Sequence, residues 1–441
     1  MCDFVSMCRE FTHRIREETV NLNILVVGNG FDLAHGLPTR YTDFMNFLEY
    51  IENLDLIEKG VVYRMYDGTV YYDPLDDQNE RSHYFLRDSY ISTINKLKIT
   101  ASDKLVSEIK DNISVNCWYQ YFKRILTKKS HIGNNWIDFE SEIRKVIEAI
   151  DLTNRDLYSC ISLNNQASDF PECVDEFRLS FFNTKKVDLE SMLLSKFIEE
   201  SAKDLENLIQ YLDYYLRFVS NMDIEKISPD IRDLEIDSVL SFNYTDTIRI
   251  YNKKRTVIES ITTPDGSGGF KKTPESKKDN IQSHFIHGQI GCNPCNIVLG
   301  VNEYQEGTDK DINSNFNLFK KFVQRMLKNT GFRYKQWLNS AGFHNVYIFG
   351  HSLDVTDGDI LVDLITHGHN INSNSVFERE GYTASTTIFY KDKQQQDQQI
   401  ANLSKILGQD KLIEYVVSAN PKIIFKQQQP MQPIQLKDIM D

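Results

Sequence analysis

The sequence lacks the long apolar runs of a membrane protein. None of its 441 residues falls in an apolar stretch of about 18 residues, the length that a membrane-spanning helix needs. The segment from Met1 to Glu18 is charged, unlike the apolar centre of a signal peptide. We therefore expect a cytoplasmic protein that does not bind membranes.

Positive charge is also scarce. The chain has 50 Lys and Arg residues against 63 Asp and Glu residues, and its formal net charge is −13. Long-range attraction to phosphate backbones or anionic lipids is not expected at this charge. We therefore expect no generic binding to nucleic acid.

The sequence is poor in the patterns of metal sites and of P-loop enzymes. Its seven cysteines are spread widely, which favours reduced thiols over a disulfide framework. The one CxxC motif, Cys292–Cys295, has no second pair at matching spacing, although Cys160 and Cys173 could approach it in space. HExxH and Walker A motifs are absent. We expect no metal and no P-loop phosphoryl transfer.

Apolar runs alternate with helical patterns in the first and last parts of the chain. Ile24–Val27 ends at Gly28 as a buried strand does, and a helical pattern follows from about Thr39. Further strands are expected at Ser238–Phe242, His284–Ile286, Asn345–Phe349 and Thr386–Tyr390. Strands that alternate with helices predict an α/β fold with a Rossmann-like parallel sheet.

The middle of the chain has a helical period instead. Apolar residues recur three and four positions apart in Cys117–Leu126, Trp136–Ile150 and Leu189–Val219. We therefore expect four regions: the first part of the core at 1–62, a helical insertion at 63–230, the rest of the core at 231–425 and a flexible tail at 426–441. Thr262–Asn280 is rich in Pro, Gly, Ser and Lys, which predicts a mobile surface loop.

A glycine turn follows the first expected strand. Gly28-Asn29-Gly30-Phe31-Asp32 places two glycines where backbone N–H groups could approach a pyrophosphate near the start of a helix. Leu33 occupies the third glycine position of the dinucleotide-binding GxGxxG motif, which disfavours a dehydrogenase. A structural turn that binds nothing is the alternative. A carboxylate at Asp32 is costly beside a phosphate unless it faces a ribose hydroxyl or a cation.

The longer string from Gly28 to Tyr41 resembles the opening of sirtuin-like NAD-binding domains. More closely, GNGFD and HGL followed by Thr39, Tyr41, Asp43 and Phe44 resemble the signature of the bacterial abortive-infection AbiH family. This resemblance implies a sirtuin-like core and an antiviral role in abortive infection.

Three later segments match the sirtuin-like pattern in the same order. Ser241–Asp246 resembles the element whose Asn, here Asn243, supports chemistry at the nicotinamide ribose. Phe285–Gly288 resembles the element with the catalytic His, here His287. Gly350–Leu353 resembles the turn that contacts the cofactor. The resemblance thus implies NAD as a substrate, Asn243 and His287 as catalytic residues, and cofactor contacts at Gly28, Asn29, Gly30, Phe31, Asp32, Gly350 and Ser352.

General chemistry agrees with these roles. Cleavage of the N-glycosidic bond of NAD develops oxocarbenium character on the ribose, so the site must hold that ribose and a nucleophile. Asn243 could hold water or a ribose hydroxyl, and His287 could act as a general base because imidazole titrates near neutral pH. A turn-forming Asn and a structural His are the alternatives. Thr245 stands where protein deacetylases have Asp, which argues against peptide deacetylation.

Three other interpretations stay open. Gly350–Asp354 nearly forms the GxSxG elbow of a Ser352 hydrolase, and Asp357, His367 and His369 follow it in the required order. Asp138 and Glu140 could line a cleft or simply begin a helix. The protein could also be a nucleotide-binding sensor without catalysis, or a hydrolase of another nucleotide or a nucleic acid. Because an NAD-hydrolysing effector must be restrained, we also expect a homo-oligomer and a phage-derived trigger or regulatory protein.

Overall fold

The computed structural model describes residues 21–52, 63–64, 70–71, 104–131, 137–153, 172–187, 192–251, 255–264, 270–279, 281–301, 314–340, 342–368 and 382–435. The chain divides into two compact units. The first contains Met1–His35, Ile224–Ile286 and Gly331–Asp441, and the second contains Gly36–Asp223 and His287–Thr330.

The first unit is built on a six-stranded sheet. Its strands are β1 (Leu22–Val27), β2 (Ser238–Ser241), β3 (Gln282–Phe285), β4 (Phe343–Phe349), β5 (Tyr382–Tyr390) and β6 (Ile423–Gln427). They lie in the order β6-β5-β4-β1-β2-β3, and every neighbouring pair is parallel. The order reverses between β1 and β4, as in Rossmann-like folds. The α/β Rossmann-like fold expected from the sequence is confirmed.

The described helices are α1 (Asn29–Ala34), α2 (Tyr41–Glu52), α3 (Lys104–Ile113), α4 (Cys117–His131), α5 (Phe139–Thr153), α6 (Glu172–Lys185), α7 (Leu194–Ser220), α8 (Pro229–Arg232), α9 (Lys321–Leu327), α10 (Arg333–Leu338), α11 (Gly358–Thr366), α12 (Lys393–Leu407) and α13 (Gln409–Val417). Short 3₁₀ helices lie at Thr247–Tyr251, Ser314–Phe319 and Val355–Asp357. Within the described ranges, no helix combines the length and apolar composition needed to cross a bilayer.

The run of four apolar residues in β1 reflects burial on both faces of the sheet. Ile24 and Val26 pack into one hydrophobic cluster, and Leu25 and Val27 pack into the cluster on the opposite face. Because successive side chains of a strand point to opposite faces, only a continuous apolar run fills both clusters. This burial fixes the register of the sheet and the edge at which its loops emerge.

The second unit is helical around an aromatic core. The ring centroids of Trp118 on α4 and Phe177 on α6 lie 4.6 Å apart. Phe122 stacks on Phe139 of α5 with ring centroids 4.1 Å apart. The Trp118 indole donates a hydrogen bond of 2.8 Å to the carbonyl of Ser201 on α7. Such contacts join helices that are distant in sequence. They explain the helical period of this part of the chain.

One expectation from the sequence was wrong. Arg255–Pro264 and Phe270–Asp279 form an antiparallel pair of strands rather than the loop expected at Thr262–Asn280. Backbone hydrogen bonds between strands need no apolar side chains, so composition alone gave no sign of the pair. The helical pattern expected from about Thr39 is confirmed by α2, and the shorter α1 precedes it, beginning at Asn29 directly after the glycine turn.

Candidate functional site

The turn after β1 packs directly against the turn after β4. The Gly30 N–H donates a hydrogen bond of 2.8 Å to the Gly350 carbonyl. A Cβ atom on Gly30 would lie 2.8 Å from that carbonyl oxygen, and one on Gly350 would lie 2.1 Å from the Phe31 nitrogen. Gly350 also has a φ of +68°, which disfavours a side chain. Close approach of two backbones therefore requires these glycines.

In this packing, backbone N–H groups that the sequence predicted to face a phosphate are already hydrogen-bonded to backbone carbonyls. The Gly30 N–H is bound to Gly350, and the Phe31 N–H donates to the Gly28 carbonyl at 2.8 Å. The Ser352 side chain is exposed, and its carbonyl accepts a hydrogen bond from Asn402 at 3.0 Å. Cofactor contact by Gly28, Asn29, Gly30, Phe31, Gly350 and Ser352 stays a prediction.

Asp32 lies at this edge of the sheet, and its pKa differs strongly from the ordinary value of an aspartate. It lies on α1 and is 1% exposed. Burial raises the pKa of Asp32 to about 6, while the nearby polar side chains of Thr245, Thr247 and Asn243 lower it. The Thr245 hydroxyl donates to Oδ2 of Asp32 at 2.5 Å and lies 3.3 Å from the Thr247 hydroxyl. The segment after β2 thus fixes the carboxyl group in a buried place.

Two buried polar atoms of this cluster have no hydrogen-bond partner among the described residues. They are Oδ1 of Asp32 and Nδ2 of Asn243. Asn243 contributes to lowering the Asp32 pKa, which places its side chain near the carboxyl group. Its backbone is held by Ser241, whose hydroxyl accepts from the Asn243 N–H at 3.1 Å and donates to the Asn243 carbonyl at 3.0 Å. An unpaired acceptor and an unpaired donor therefore share one buried site.

A buried histidine that the sequence did not assign to a role holds α1 in place. Nδ1 of His35 lies 2.6 Å from the Phe31 carbonyl, and Nε2 lies 2.7 Å from the Tyr251 hydroxyl. That hydroxyl also accepts a hydrogen bond of 2.7 Å from the Ser228 N–H. Burial lowers the pKa of His35 to about 4, so its ring is neutral at physiological pH. His35 of the HGL segment therefore has a structural role here.

The turn after β4 does not form a hydrolase triad among the described residues. Asp357 lies 3.6 Å from Nε2 of His351, whose Nδ1 accepts a hydrogen bond of 2.9 Å from the Leu353 N–H. The Ser352 hydroxyl has no histidine partner in this part of the chain. A triad needs its base within hydrogen-bond reach of the nucleophile. His369 lies outside the described residues.

The other sequence-predicted residues lie in the second unit. His287 is buried, and its carbonyl accepts a hydrogen bond of 2.8 Å from the Val298 N–H. Its catalytic role stays a prediction. Oδ1 of Asp138 accepts hydrogen bonds from the backbone at the start of α5, and Glu140 forms an ion pair of 2.7 Å with Lys321. The acidic pair therefore begins a helix and binds a lysine.

Among the described residues, no cluster could hold a metal ion, and no predicted site residue lines the groove between α7 and α9. No group of three His, Cys, Asp or Glu side chains there could hold a metal ion, and Cys292 and Cys295 are free. Cys160 lies outside the described residues. A groove of about 480 Å³ lies between α7 and α9 and is lined by Ile198, Leu205 and Leu327. It is separate from every sequence-predicted site residue.

One protein-family model matches the chain, whereas a search of curated proteins found no match. The family model described as "Bacteriophage abortive infection AbiH" matches residues 24–378, which is most of the chain and includes both Asp32 and Asn243. This match supports a role in phage abortive infection. The chain belongs to the AbiH family of bacteriophage abortive-infection proteins.

Proposed function

We propose that this AbiH protein is a phage-defence effector of the cytoplasm that hydrolyses NAD to nicotinamide and ADP-ribose. One observation carries the proposal: Oδ1 of Asp32 and Nδ2 of Asn243 are buried together without partners among the described residues. A buried polar group without a hydrogen bond costs about 1–3 kcal/mol, so such groups are candidates for ligand contact. The sirtuin-like sequence pattern supports NAD as that ligand.

A ribose hydroxyl suits this pair of atoms. It donates to the carboxylate and accepts from the amide, so one hydroxyl satisfies both groups. A phosphate suits the site less, because it would meet the Asp32 carboxylate with a like charge. The N–H groups of Gly30 and Phe31 already donate to backbone carbonyls, which also argues against a phosphate at this site. We therefore assign this cluster to the ribose rather than to the pyrophosphate.

The reaction that we propose is a hydrolysis. The bond between C1′ of the ribose and the nicotinamide nitrogen breaks, and its electron pair neutralises the pyridinium ring. The oxygen of a water molecule bonds to C1′, and His287 takes the proton that this water releases. Above pH 6 the Asp32 carboxylate is ionised and stabilises the positive charge that develops on the ribose.

Restraint of this activity is part of the proposal. An enzyme that removes NAD must be inactive before infection, so we propose a homo-oligomer whose activity is released by a phage-derived trigger or a regulatory protein. The helical insertion expected at 63–230 is the part of the chain that carries no NAD motif. We therefore assign contact with the trigger to that insertion.

Phage-challenged cells test the proposal. Cells that express the wild type, Asn243→Ala or His287→Ala are infected, and NAD is measured over time beside phage titre. We expect NAD to fall before phage release with the wild type alone, and both variants to lose protection. Asn116→Ala is the control, because Asn116 is also a buried amide but bonds to Asp204 in the second unit.

The alternatives give different results. A sensor without catalysis predicts that NAD stays constant while the wild type protects, and that His287→Ala still protects. A hydrolase of another nucleotide or of nucleic acid predicts protection with constant NAD that is lost in His287→Ala. Either result would contradict NAD hydrolysis.

A further inference from the structure

The loop of residues 288–298 begins directly after His287 and folds back on it. The Val298 N–H donates to the His287 carbonyl at 2.8 Å, and the Gln289 N–H donates to Oδ1 of Asn296 at 2.9 Å. Gly288 has a φ of +86°, and a Cβ atom there would lie 2.0 Å from the Asn296 carbonyl oxygen. The two ends of this loop therefore meet at the histidine.

Helix α7 holds the outer part of the loop through Asp213. Oδ1 of Asp213 accepts a hydrogen bond of 2.8 Å from the Gly291 N–H. The other carboxylate oxygen pairs with Arg217 one turn later on the same helix. Asp213 is only 3% exposed, so its charge is stabilised by these partners rather than by water. A buried carboxylate is thus committed to the backbone of this loop.

A second contact holds the end of the loop. Nζ of Lys328 donates hydrogen bonds of 2.7 Å to the Ile297 carbonyl and 2.8 Å to Oε2 of Glu206 on α7. The loop is therefore bound to α7 directly at Gly291 and through a lysine at Ile297. Its conformation follows the position of α7.

We propose that Asp213 is a positioning residue for His287. The inference rests on the proposed function, in which His287 takes a proton from water. Asp213 fixes the Gly291 amide, the loop closes on the His287 carbonyl, and the histidine is thereby held in one orientation. The ion pair with Arg217 uses only one carboxylate oxygen of Asp213 and would stabilise α7 without the loop. The other oxygen, Oδ1, accepts a hydrogen bond from the Gly291 N–H, and this bond assigns Asp213 to the loop.

Asp213→Ala, Asp213→Asn and a control variant test this assignment in the full-length protein. Asp204→Ala is the matched control, because Asp204 also lies buried on α7 and accepts a hydrogen bond of 2.7 Å from a backbone N–H, that of Cys117. Amide hydrogen exchange is measured over residues 288–298, and kcat and KM are measured for nicotinamide release from NAD by protein purified from phage-challenged cells. The exchange measurement does not depend on catalysis.

We expect Asp213→Ala to raise the exchange rate of the loop amides and to lower kcat at least about tenfold, with KM within about twofold of wild type. Asp213→Asn keeps an acceptor for the Gly291 N–H and should restore most of both. Asp204→Ala should leave exchange in this loop unchanged.

Unchanged loop exchange in Asp213→Ala would overturn the assignment, and so would an equal effect of Asp204→Ala. A wild type that releases no nicotinamide would overturn the proposed function instead, while the exchange rates still decide whether Asp213 holds the loop. Faster loop exchange with wild-type kcat would show that the loop does not position His287, and would also overturn the proposal.

Discussion

The Thr245 hydroxyl donates a hydrogen bond to the Asp32 carboxyl group across 213 positions of sequence. Thr245 follows β2 and Asp32 lies on the helix after β1, so the pair joins the carboxyl ends of two adjacent parallel strands. Ligands of open α/β sheets bind at this edge. The bond holds one oxygen of Asp32, and the other oxygen has no hydrogen-bond partner among the described residues.

Asp32→Asn should stabilise the protein at pH 7. The pKa of Asp32 in the folded protein, about 6, lies above its ordinary value of 3.8, so the folded state binds this proton more tightly. Stability from this group is therefore present at low pH and lost as pH rises from about 4 to about 6. At about 1.4 kcal/mol per pKa unit, we expect a gain of up to about 3 kcal/mol at pH 7. Denaturant unfolding measures it.

The same variant should lose NAD turnover. A substitution that stabilises the protein but abolishes its activity indicates that the replaced residue serves function rather than stability. The stability difference between variant and wild type should shrink by about 1 kcal/mol at pH 5, where the wild-type carboxyl group is mostly protonated. A variant less stable than wild type at pH 7 would show that the ionised carboxylate stabilises the fold.

His35→Gln should weaken the dependence of stability on pH in the acid range. Burial lowers the pKa of His35 from 6.5 to about 4, so its stabilising contribution is present above pH 6.5 and lost as pH falls toward 4. Between pH 7 and pH 5, wild type should lose about 2 kcal/mol through this group. The variant has no titrating ring and should not show this loss. Equal slopes for the two proteins would contradict a neutral, buried His35.

Gly350→Ala should be far more damaging than Gly36→Ala. Both glycines have positive φ angles, +68° and +84°, so both substitutions strain the backbone. Only at Gly350 does the new Cβ atom meet another backbone, 2.1 Å from the Phe31 nitrogen, whereas nothing lies within 4 Å at Gly36. We expect about 1 kcal/mol of destabilisation at Gly36 and about 3 kcal/mol or more at Gly350. Thermal unfolding of both variants checks this, and similar losses would contradict the close approach of the two turns.

Thr245→Val should raise the pKa of Asp32 further. The Thr245 hydroxyl lowers this pKa more than Thr247 or Asn243 does, and valine keeps the shape without the hydroxyl. The carboxyl resonance of Asp32, followed by NMR against pH, reports the change directly. Thr247→Val is the matched control with a smaller effect, because its hydroxyl lowers the pKa less. A titration midpoint unchanged in Thr245→Val would show that the hydrogen bond is absent in solution.

The sequence allowed much of the sheet to be predicted. A continuous apolar run identified β1, because burial on both faces demands it, and shorter strand-like runs identified β2, β3, β4 and β5. β6 was missed: Ile424 is exposed in this last strand, and the glutamines that follow looked like a tail. The antiparallel pair at 255–264 and 270–279 was missed because its pairing is carried by the backbone.

The site was predictable in part. The sirtuin-like resemblance placed Asp32 and Asn243 in one site, and the parallel pairing of β1 and β2 brings both residues to one edge of the sheet. Two features could not be foreseen. The packing of Gly30 on Gly350 joins positions about three hundred residues apart in sequence, and a local sequence motif cannot predict such a contact. The buried role of His35 depends on Tyr251, which no motif marked.

Nicotinamide release from NAD by the purified protein tests the central claim most directly. The wild type, Asp32→Asn, Asn243→Ala and the control Asn116→Ala are purified from phage-challenged cells and incubated with NAD, and the products are resolved by chromatography. The account predicts equimolar nicotinamide and ADP-ribose from the wild type and the control, and at least a hundredfold less from the other two. Equal release from Asn243→Ala and wild type, or intact NAD in a wild-type sample that clears another nucleotide, would contradict it.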